Sequence, residues 1–247
     1  IDTVRTGGRY DGNLGVLAGL EVIETLNHAE VVTQRPLAVA FFSNEEGARF
    51  APDMMGSLVF QGDLSTEDAL NTVGIDGSSV RDNITRIGYQ GSLVTSGNYP
   101  VHAFVELHIE QGPILDKEHI TLGAVQSVQG ISWTEFCFHG VSNHAGTTPM
   151  SMRHDAGYAA SALSQFVRAL ALDMGNNQVA TVGSMELRPN LCNVVANYAR
   201  VTVDLRNTDD DLLKQAEMRV SAFVEELCRQ EGLRMDRRSL ARFSPVH

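Results

Sequence analysis

The order of strand-like and helix-like segments in the second half of the chain constrains its fold more than any other feature. Four segments have the two-residue alternation or the β-branched and aromatic residues of strands, and two carry apolar residues at helical spacing. Strands are predicted at residues 131–138, 179–185, 193–206 and 233–240, and helices at residues 156–170 and 213–227. This β-α-β-β-α-β order predicts, at about residues 127–240, a ferredoxin-like four-stranded antiparallel sheet with two helices on one face.

The first half follows a different pattern, in which loops, helices and short apolar runs alternate. A glycine-rich loop that ends at Asp11 precedes a helical stripe, and a buried strand is predicted at residues 36–42. Further strands are predicted at residues 101–108 and 120–128, with short helices and polar connections between residues 57 and 100. This alternation indicates an α/β fold, in which ligand sites gather where strands end.

Composition argues against several classes of function. The formal net charge of -11 over 247 residues argues against a nucleic acid or an anionic membrane as partner, because both are bound through basic surfaces. No apolar run approaches the roughly 18 residues of a membrane-spanning helix. Cys137, Cys192 and Cys228 are too few and too scattered for a disulfide framework or a cysteine zinc site. They predict reduced thiols in a cytoplasmic protein.

Three places in the first half carry residues that can bind a metal, although each also has an ordinary structural interpretation. Asp11 lies in a glycine-rich turn, where an aspartate commonly forms the turn or caps a helix. Glu45 and Glu46 follow a predicted strand, but adjacent carboxylates are also common in solvated loops. His108 ends another predicted strand, and a lone strand histidine is usually structural.

Taken together, these residues indicate a metal centre. Asp, Glu and His are the usual ligands of Zn²⁺ or Mn²⁺ where no thiolate is present, and the carboxylate of Asp11 can bridge two ions. Such a centre polarises a carbonyl group for hydrolysis. Glu45 and Glu46 point in different directions, so Glu46 can bind metal while Glu45 takes the proton of the attacking water and passes it to the leaving nitrogen.

The second half offers polar residues of its own. His144 lies in a loop among glycine, threonine and proline, Asn193 begins a predicted strand, and Arg206 ends it. Polar residues in such surroundings are usually loop residues without a chemical role. Arg206 would form either a surface ion pair of little energetic value or a bidentate clamp on a carboxylate, for which lysine is no substitute.

These residues lie within stretches that resemble the amidase/hydantoinase/carbamoylase group of dinuclear-metal hydrolases, relatives of the aminoacylases and aminopeptidases. The group includes N-carbamoyl-L-amino acid hydrolases, β-ureidopropionases, allantoate amidohydrolases and ureidoglycolate amidohydrolases. The resemblance runs nearly end to end and keeps the motifs in one order. The matching stretches are Asp2-Thr3-Val4, Gly7-Gly8-Arg9-Tyr10-Asp11-Gly12, Asn44-Glu45-Glu46-Gly47-Ala48-Arg49-Phe50, Glu106-Leu107-His108-Ile109-Glu110-Gln111-Gly112-Pro113, His144-Ala145-Gly146-Thr147-Thr148-Pro149-Met150, Asn193-Val194-Val195 and Asp204-Leu205-Arg206.

The resemblance implies roles for the residues of the first half. Asp11 would bridge two divalent metal ions, zinc or manganese, with cobalt or nickel as alternatives. Glu46 would bind one ion and His108 the other, and Glu45 would be the catalytic acid and base. Asp2 would orient a further metal-binding histidine through a hydrogen bond.

The substrate is expected to be bound from both halves. The resemblance implies that Gln111 and Asn193 bind it, that Arg206 binds its carboxylate, and that His144 helps to polarise its carbonyl group. In this family the residue that corresponds to His144 often reaches the site from the partner subunit, so a homodimer is expected.

The resemblance also implies a domain plan. Residues 1–126 would be part of an aminopeptidase-like catalytic domain, residues 127–240 an inserted ferredoxin-like lid and dimerisation domain, and residues 241–247 the start of the return to the catalytic domain. Closure of the lid would exclude water from the metals. Two of the five metal ligands of the family, both histidines, have no counterpart here, and we therefore expect this chain to be part of a longer protein.

The expected reaction is hydrolysis of the carbamoyl (ureido) C–N bond of an N-carbamoyl-L-amino acid or a similar small ureido acid, with release of ammonia and carbon dioxide. Allantoate or ureidoglycolate is an alternative substrate, and a dipeptidase or aminoacylase that cuts an ordinary amide is an alternative enzyme. An inactive fragment that serves as a dimerisation or binding module is the alternative from another class.

Overall fold

The computed structural model describes residues 3–93 and 100–247, and the chain divides into two compact units, Ile1–Leu122 and Gly123–His247. The helices of the first unit are α1 (Asn13–His28), α2 (Met55–Gln61), α3 (Thr66–Asn71), α4 (Val80–Arg86) and α5 (Ile114–Lys117). The second unit contains β1 (Gly130–His139), α6 (Ala156–Met174), β2 (Val179–Arg188), β3 (Tyr198–Asn207), α7 (Asp210–Glu231) and β4 (Arg234–Phe243), with a short 3₁₀ turn at Met150–Met152. None of the helices in the described residues combines the length and the apolar character that crossing a bilayer requires.

The second unit has the predicted β-α-β-β-α-β order, so the chain is a mixed α/β protein. Its four strands form an antiparallel sheet in the order β2-β3-β1-β4. The predicted long strand at residues 193–206 is wrong at its start, because β3 begins at Tyr198. Residues 193–195 are bonded instead to the loop before α6, through Ala145 N–H to Asn193 O and Val195 N–H to Asn143 O.

The core of the second unit lies between one face of the sheet and two helices. Alternate residues of β1 and β3 point into it, among them Phe136, Phe138 and Val201, and all three are almost completely buried. Leu163 of α6 and Leu213 of α7 cover them. The intervening strand residues carry arginines, acids and Tyr198, so the other face of the sheet is polar.

The helices begin and end where local chemistry dictates. The Asp155 carboxylate accepts hydrogen bonds from the first N–H groups of α6, and that of Asp209 does the same for α7. Gly232 ends α7 at φ 63°, a left-handed conformation that glycine adopts without strain. The predicted helix after Asp11 is present as α1.

The strands predicted in the first half are wrong. Residues 36–42 and 101–108 form no strand, and from residues 120–128 only Val128 pairs, in an isolated bridge to Val246. An apolar run becomes a strand only where a neighbour completes its hydrogen-bond ladder, and none of the described residues supplies that neighbour. Both segments lie against α1 instead: a Cβ on Gly15 would fall 2.8 Å from Leu107 O, and one on Gly19 would fall 3.2 Å from Val39 Cγ2.

Candidate metal centre and substrate-binding residues

Asp11, His108 and Gln111 meet in the first unit. Asp11 lies just before α1, and its Oδ1 is 3.3 Å from His108 Nε2. Gln111 donates a hydrogen bond from its amide to Asp11 Oδ2. The backbone of Gln111 is left-handed, at φ 54°, which is uncommon outside glycine. The close packing of Gly15 against Leu107 brings the segment that carries His108 to the start of α1.

The pair of donors from Asp11 and His108 fits a divalent metal ion. His108 Nδ1 lies 2.7 Å from Ile109 O, a carbonyl oxygen that can only accept, so Nδ1 carries a hydrogen, and in the neutral ring Nε2 would direct its lone pair towards Asp11. A second ring nitrogen fixed by a carbonyl is the usual arrangement around a metal-binding histidine. Donors bound at about 2.1 Å to one tetrahedral ion lie about 3.4 Å apart, close to the separation between these two atoms.

Glu45 and Glu46 lie on a loop that its own backbone closes. Met54 N–H donates to Glu45 O at 2.6 Å, and Gly56 N–H donates to Ser43 O at 3.0 Å. Asn44, at φ 52°, reaches across the loop with its side-chain amide to Phe50 O at 2.7 Å. The loop therefore holds a defined shape around the two carboxylates, with Glu45 half-buried and Glu46 exposed.

Arg49 connects the same loop to α4 and to the segment just before it. Its Nη2 lies 2.6 Å from Asp76 Oδ2, 3.2 Å from Ser78 Oγ and 3.0 Å from Asn83 Oδ1, and its guanidinium lies over the Phe50 ring. Hydrogen bonds from the Ser78 hydroxyl and then from Arg49 lower the pKa of Asp76 to about 2. The pair thus stays charged at any ordinary pH, and we call these contacts of Arg49 the brace of the loop. Both side chains are about half exposed, so solvent screens the ion pair.

Not all of the predicted ligands come together. Among the described residues, no group of three or more His, Cys, Asp and Glu side chains is arranged to hold a metal ion. Asp2 lies outside the described residues. The carboxylate of Glu110, within the same motif as His108, accepts the Ile114 and Leu115 N–H groups at 3.1 and 2.9 Å and so caps α5.

In the second unit, His144 and Asn193 are neighbours. Val194 forms an antiparallel bridge with His144, and Ala145 N–H donates to Asn193 O at 2.9 Å. Gly146 N–H donates to His144 Nδ1 at 3.0 Å. A neutral imidazole that accepts at Nδ1 carries its hydrogen on Nε2, so His144 is prepared to donate a hydrogen bond from that atom.

Arg206 lies on β3, on the polar face of the sheet. Its Nε and Nη2 bind the carboxylate of Asp204 at 3.0–3.1 Å, and its guanidinium lies 5.9 Å from the centroid of the Trp133 ring. These contacts fix the plane of the guanidinium through one edge, and its outer edge offers a second pair of N–H groups to another carboxylate.

Sequence reasoning missed the residues that hold the site in place. Asp204 could have been found, because residues two apart on a strand share a face. Arg49 and Arg153 could not, because each acts on partners that no periodic pattern connects to it. Arg153 donates three hydrogen bonds to the carbonyl oxygens of Ala145 and Thr148, on the His144 loop.

Comparison with known proteins places these residues in a family context. The family model described as peptidase family M20/M25/M40 matches residues 2–239. An N-carbamoyl-L-amino-acid amidohydrolase from Rhizobium meliloti is 39% identical over 246 residues, which is 100% of this chain and 59% of that protein. An allantoate amidohydrolase from Escherichia coli is 34% identical over 96% of this chain and 58% of its own length.

A solved structure gives the same picture. The amidase of the hydantoinase/carbamoylase family from Burkholderia multivorans is 42% identical and superposes with a TM-score of 0.89 over 99% of this chain, which corresponds to 59% of that protein. The chain therefore spans about three-fifths of the length of these relatives.

Proposed function

Because this chain belongs to peptidase family M20/M25/M40, we propose that it carries part of the active site of a metal-dependent amidohydrolase. The proposed reaction is cleavage of the carbamoyl C–N bond of an N-carbamoyl-L-amino acid. The observation that carries the proposal is the position of Asp11 Oδ1 and His108 Nε2, 3.3 Å apart, with His108 Nδ1 fixed on Ile109 O. The substrate class is supported by the name of the Rhizobium meliloti relative.

The first unit would supply the metal ligands and the proton carrier. Asp11, Glu46 and His108 would hold two divalent ions, zinc or manganese, with ligands from outside this chain. When bound, such ions act as Lewis acids on the substrate carbonyl group and on the attacking water. Glu45, on the braced loop, would accept the proton of that water and return it to the leaving nitrogen. Gln111 would orient Asp11 with its amide N–H and offer its amide oxygen to the substrate.

The second unit would supply groups that bind the substrate. His144 would donate its Nε2 hydrogen to the carbonyl oxygen, where negative charge develops during attack. Arg206 would bind the substrate carboxylate with the guanidinium edge that faces away from Asp204. Asn193, which is bonded to the His144 loop through its backbone, would position a polar group of the substrate beside them.

We further propose that the second unit is a ferredoxin-like lid inserted into an aminopeptidase-like catalytic domain. The strand order β2-β3-β1-β4 and the two helices on one face support it. So does the reciprocal pairing of Val128 and Val246, with N···O distances of 2.8 and 3.0 Å, because an inserted domain has to return its chain to the point where it left. A homodimer through this unit is proposed with it, since β2 and β4 are edge strands of ten residues each.

The test is ammonia release by the full-length protein from N-carbamoyl-L-amino acids with Mn²⁺ or Zn²⁺. Allantoate, ureidoglycolate, dipeptides and N-acyl amino acids serve as competing substrates, and of these only the ureido acids release ammonia. Glu45→Gln should reduce kcat by at least about 1000-fold, and Glu118→Gln, an exposed glutamate of the same unit, should leave it unchanged. Retention of most activity by Glu45→Gln would refute the mechanism.

Measurements of bound metal and of the molecular mass of the full-length protein test the remaining proposals. Dialysis against a chelator should abolish activity and added Mn²⁺ or Zn²⁺ should restore it. Near-zero bound metal in an intact dimer would favour a binding or assembly module instead. Light scattering of the full-length protein should give the mass of two subunits, and a monomer would refute the dimer.

A further inference from the structure

The loop that carries His144 is held on one side by the backbone. Thr148 N–H donates to His144 O at 3.2 Å, which folds the loop into a tight turn. Ala145 N–H and Val195 N–H then tie the turn to residues 193–195. These contacts leave the carbonyl oxygens of Ala145 and Thr148 directed to the other side of the turn, towards Arg153.

Arg153 occupies that other side. Its Nη2 donates to Ala145 O at 2.7 Å and to Thr148 O at 3.0 Å, and its Nε donates to Thr148 O at 3.1 Å. The guanidinium is half-buried, and all three of these bonds end on main-chain oxygens of one loop. A planar fork of N–H groups can bind two carbonyls at once, whereas the ammonium of a lysine is a single point.

The shape of this turn determines which ring nitrogen of His144 carries the hydrogen. Nδ1 accepts the Gly146 N–H at 3.0 Å because the turn brings the backbone of Gly146 to that edge of the ring. The fit is close, since a Cβ on Gly146 would lie 3.2 Å from His144 Cε1. If the turn opened, this N–H would leave Nδ1, and the ring would lose the bond that selects hydrogen on Nε2.

We propose that Arg153 is a positioning residue for His144. By joining the carbonyl oxygens of Ala145 and Thr148, it keeps the turn closed, and the closed turn keeps the His144 imidazole in the Nε2–H form. Its effect on turnover rests on the proposed function, in which that N–H binds the substrate carbonyl oxygen. Its effect on the ring of His144 does not depend on any activity.

The first measurement is the tautomer of the His144 ring. Long-range ¹H–¹⁵N spectra of the full-length protein, labelled at histidine and assigned with His144→Ala, should show hydrogen on Nε2 of His144. Arg153→Lys and Arg153→Met should both turn this signal into that of a mixture of the two forms. Arg219→Met, which removes a partly exposed arginine paired with Asp173 between α6 and α7, should leave it unchanged. An unchanged His144 signal in Arg153→Met would overturn the proposal.

The second readout is a pair of comparisons on turnover. Arg153→Met should lower kcat about 10- to 100-fold with little change in KM, because the bond from Nε2–H strengthens in the transition state. Arg153→Lys should lower it less. In the His144→Ala background, Arg153→Met should change kcat by less than about two-fold, because an effect that passes through His144 disappears with it. Equal losses in both backgrounds would mean a general structural role and would also overturn the proposal.

The proposed function and the proposed role of Arg153 can be refuted independently of each other. If the full-length protein hydrolyses no ureido acid or amide, the proposed function is wrong and the ring spectra alone decide the role of Arg153. If hydrolysis is normal in Arg153→Met, the function stands and the positioning role is wrong. Thermal unfolding of each variant shows whether a loss of turnover reflects a loss of folded protein, and Arg153→Lys, which keeps the charge, serves if Arg153→Met fails to fold.

Discussion

The two units of the chain hold their candidate site residues by different means. In the second unit, Arg206 lies on a central strand whose other face is packed against α6 and α7. In the first, Glu45 lies on a loop held by polar contacts, and the small buried cluster behind it consists of Phe50, Met55, Val59 and Ala69. A regular sheet and core position side chains through many weak contacts, whereas the braced loop depends on a few specific polar contacts. Single substitutions should therefore act differently in the two units.

The largest effect is expected at the proposed metal ligands of the first unit. His108→Ala in the full-length protein should weaken metal binding by more than about 100-fold, because even the loss of an outer partner of a ligand costs about 10- to 100-fold. Calorimetric titration with Zn²⁺ or Mn²⁺ measures it. His119→Ala, which removes an exposed histidine of the same unit, is the control. Unaltered metal affinity in His108→Ala would remove His108 from the centre.

The next effect is expected in the core of the second unit. Leu163 is fully buried between α6 and the sheet, and Leu163→Ala should reduce the free energy of unfolding by about 2–5 kcal/mol. Leu172→Ala, on the same helix but 75% exposed, should change it by less than about 0.5 kcal/mol. Hydrogen exchange of the β1 and β3 amides reports this unit alone. Equal effects of the two substitutions would contradict the core described here.

The same difference explains what the sequence could and could not predict. The elements α1, α6, α7 and the four strands were predictable because their periodic patterns are local. The strands at residues 36–42 and 101–108 were wrong because pairing needs a partner that an apolar run does not specify. Likewise, Val194 and Val195 have strand residue types, yet they are bonded to the His144 loop.

For the candidate site, the sequence could suggest residues by their type, and that assignment stays a prediction, but it could not suggest the contacts that hold them. Asp11, Glu46 and His108 stand out because Asp, Glu and His are the usual ligands of Zn²⁺ or Mn²⁺ where no thiolate is present. The bond between Gln111 and Asp11 joins positions 100 residues apart, and the contact between Arg49 and Asp76 joins positions 27 apart. Contacts of this kind follow from the folded chain, and no local pattern records them.

A smaller effect is expected at the helix caps, where the units can be compared directly. Ser79 caps α4 in a reciprocal arrangement with Asp82, and Asp209 caps α7. Replacing either cap with alanine should cost about 1 kcal/mol. In Ser79→Ala, faster hydrogen exchange should stay within α4 and the adjacent brace, whereas in Asp209→Ala it should spread over the cooperative second unit. The same spread in both variants would mean that the first unit is equally cooperative.

The smallest effect on stability is expected at acidic pH, where one carboxylate of each unit takes up a proton. Hydrogen bonds lower the pKa of Asp76 to about 2, chiefly from Ser78 and then Arg49, and that of Asp210 to about 2, chiefly from Lys214 and then Arg242. An unfolded aspartate takes up its proton near pH 3.9. Each group therefore contributes its full stabilisation above about pH 4 and loses it as the pH falls towards 2.

The Asp76 carboxylate is exposed and that of Asp210 is partly exposed, so screening keeps the effect of each small. Asp76→Asn should reduce the pH dependence of hydrogen exchange between about pH 4 and pH 2 in the Glu45 loop and α4. Asp210→Asn should do so in α7 and β4, where Arg242 reaches Asp210 at 2.8 Å. A change in the other unit in either variant would show that the two units unfold together. They would then form one cooperative structure, and the brace at Arg49 would stabilise the sheet as well as its own loop.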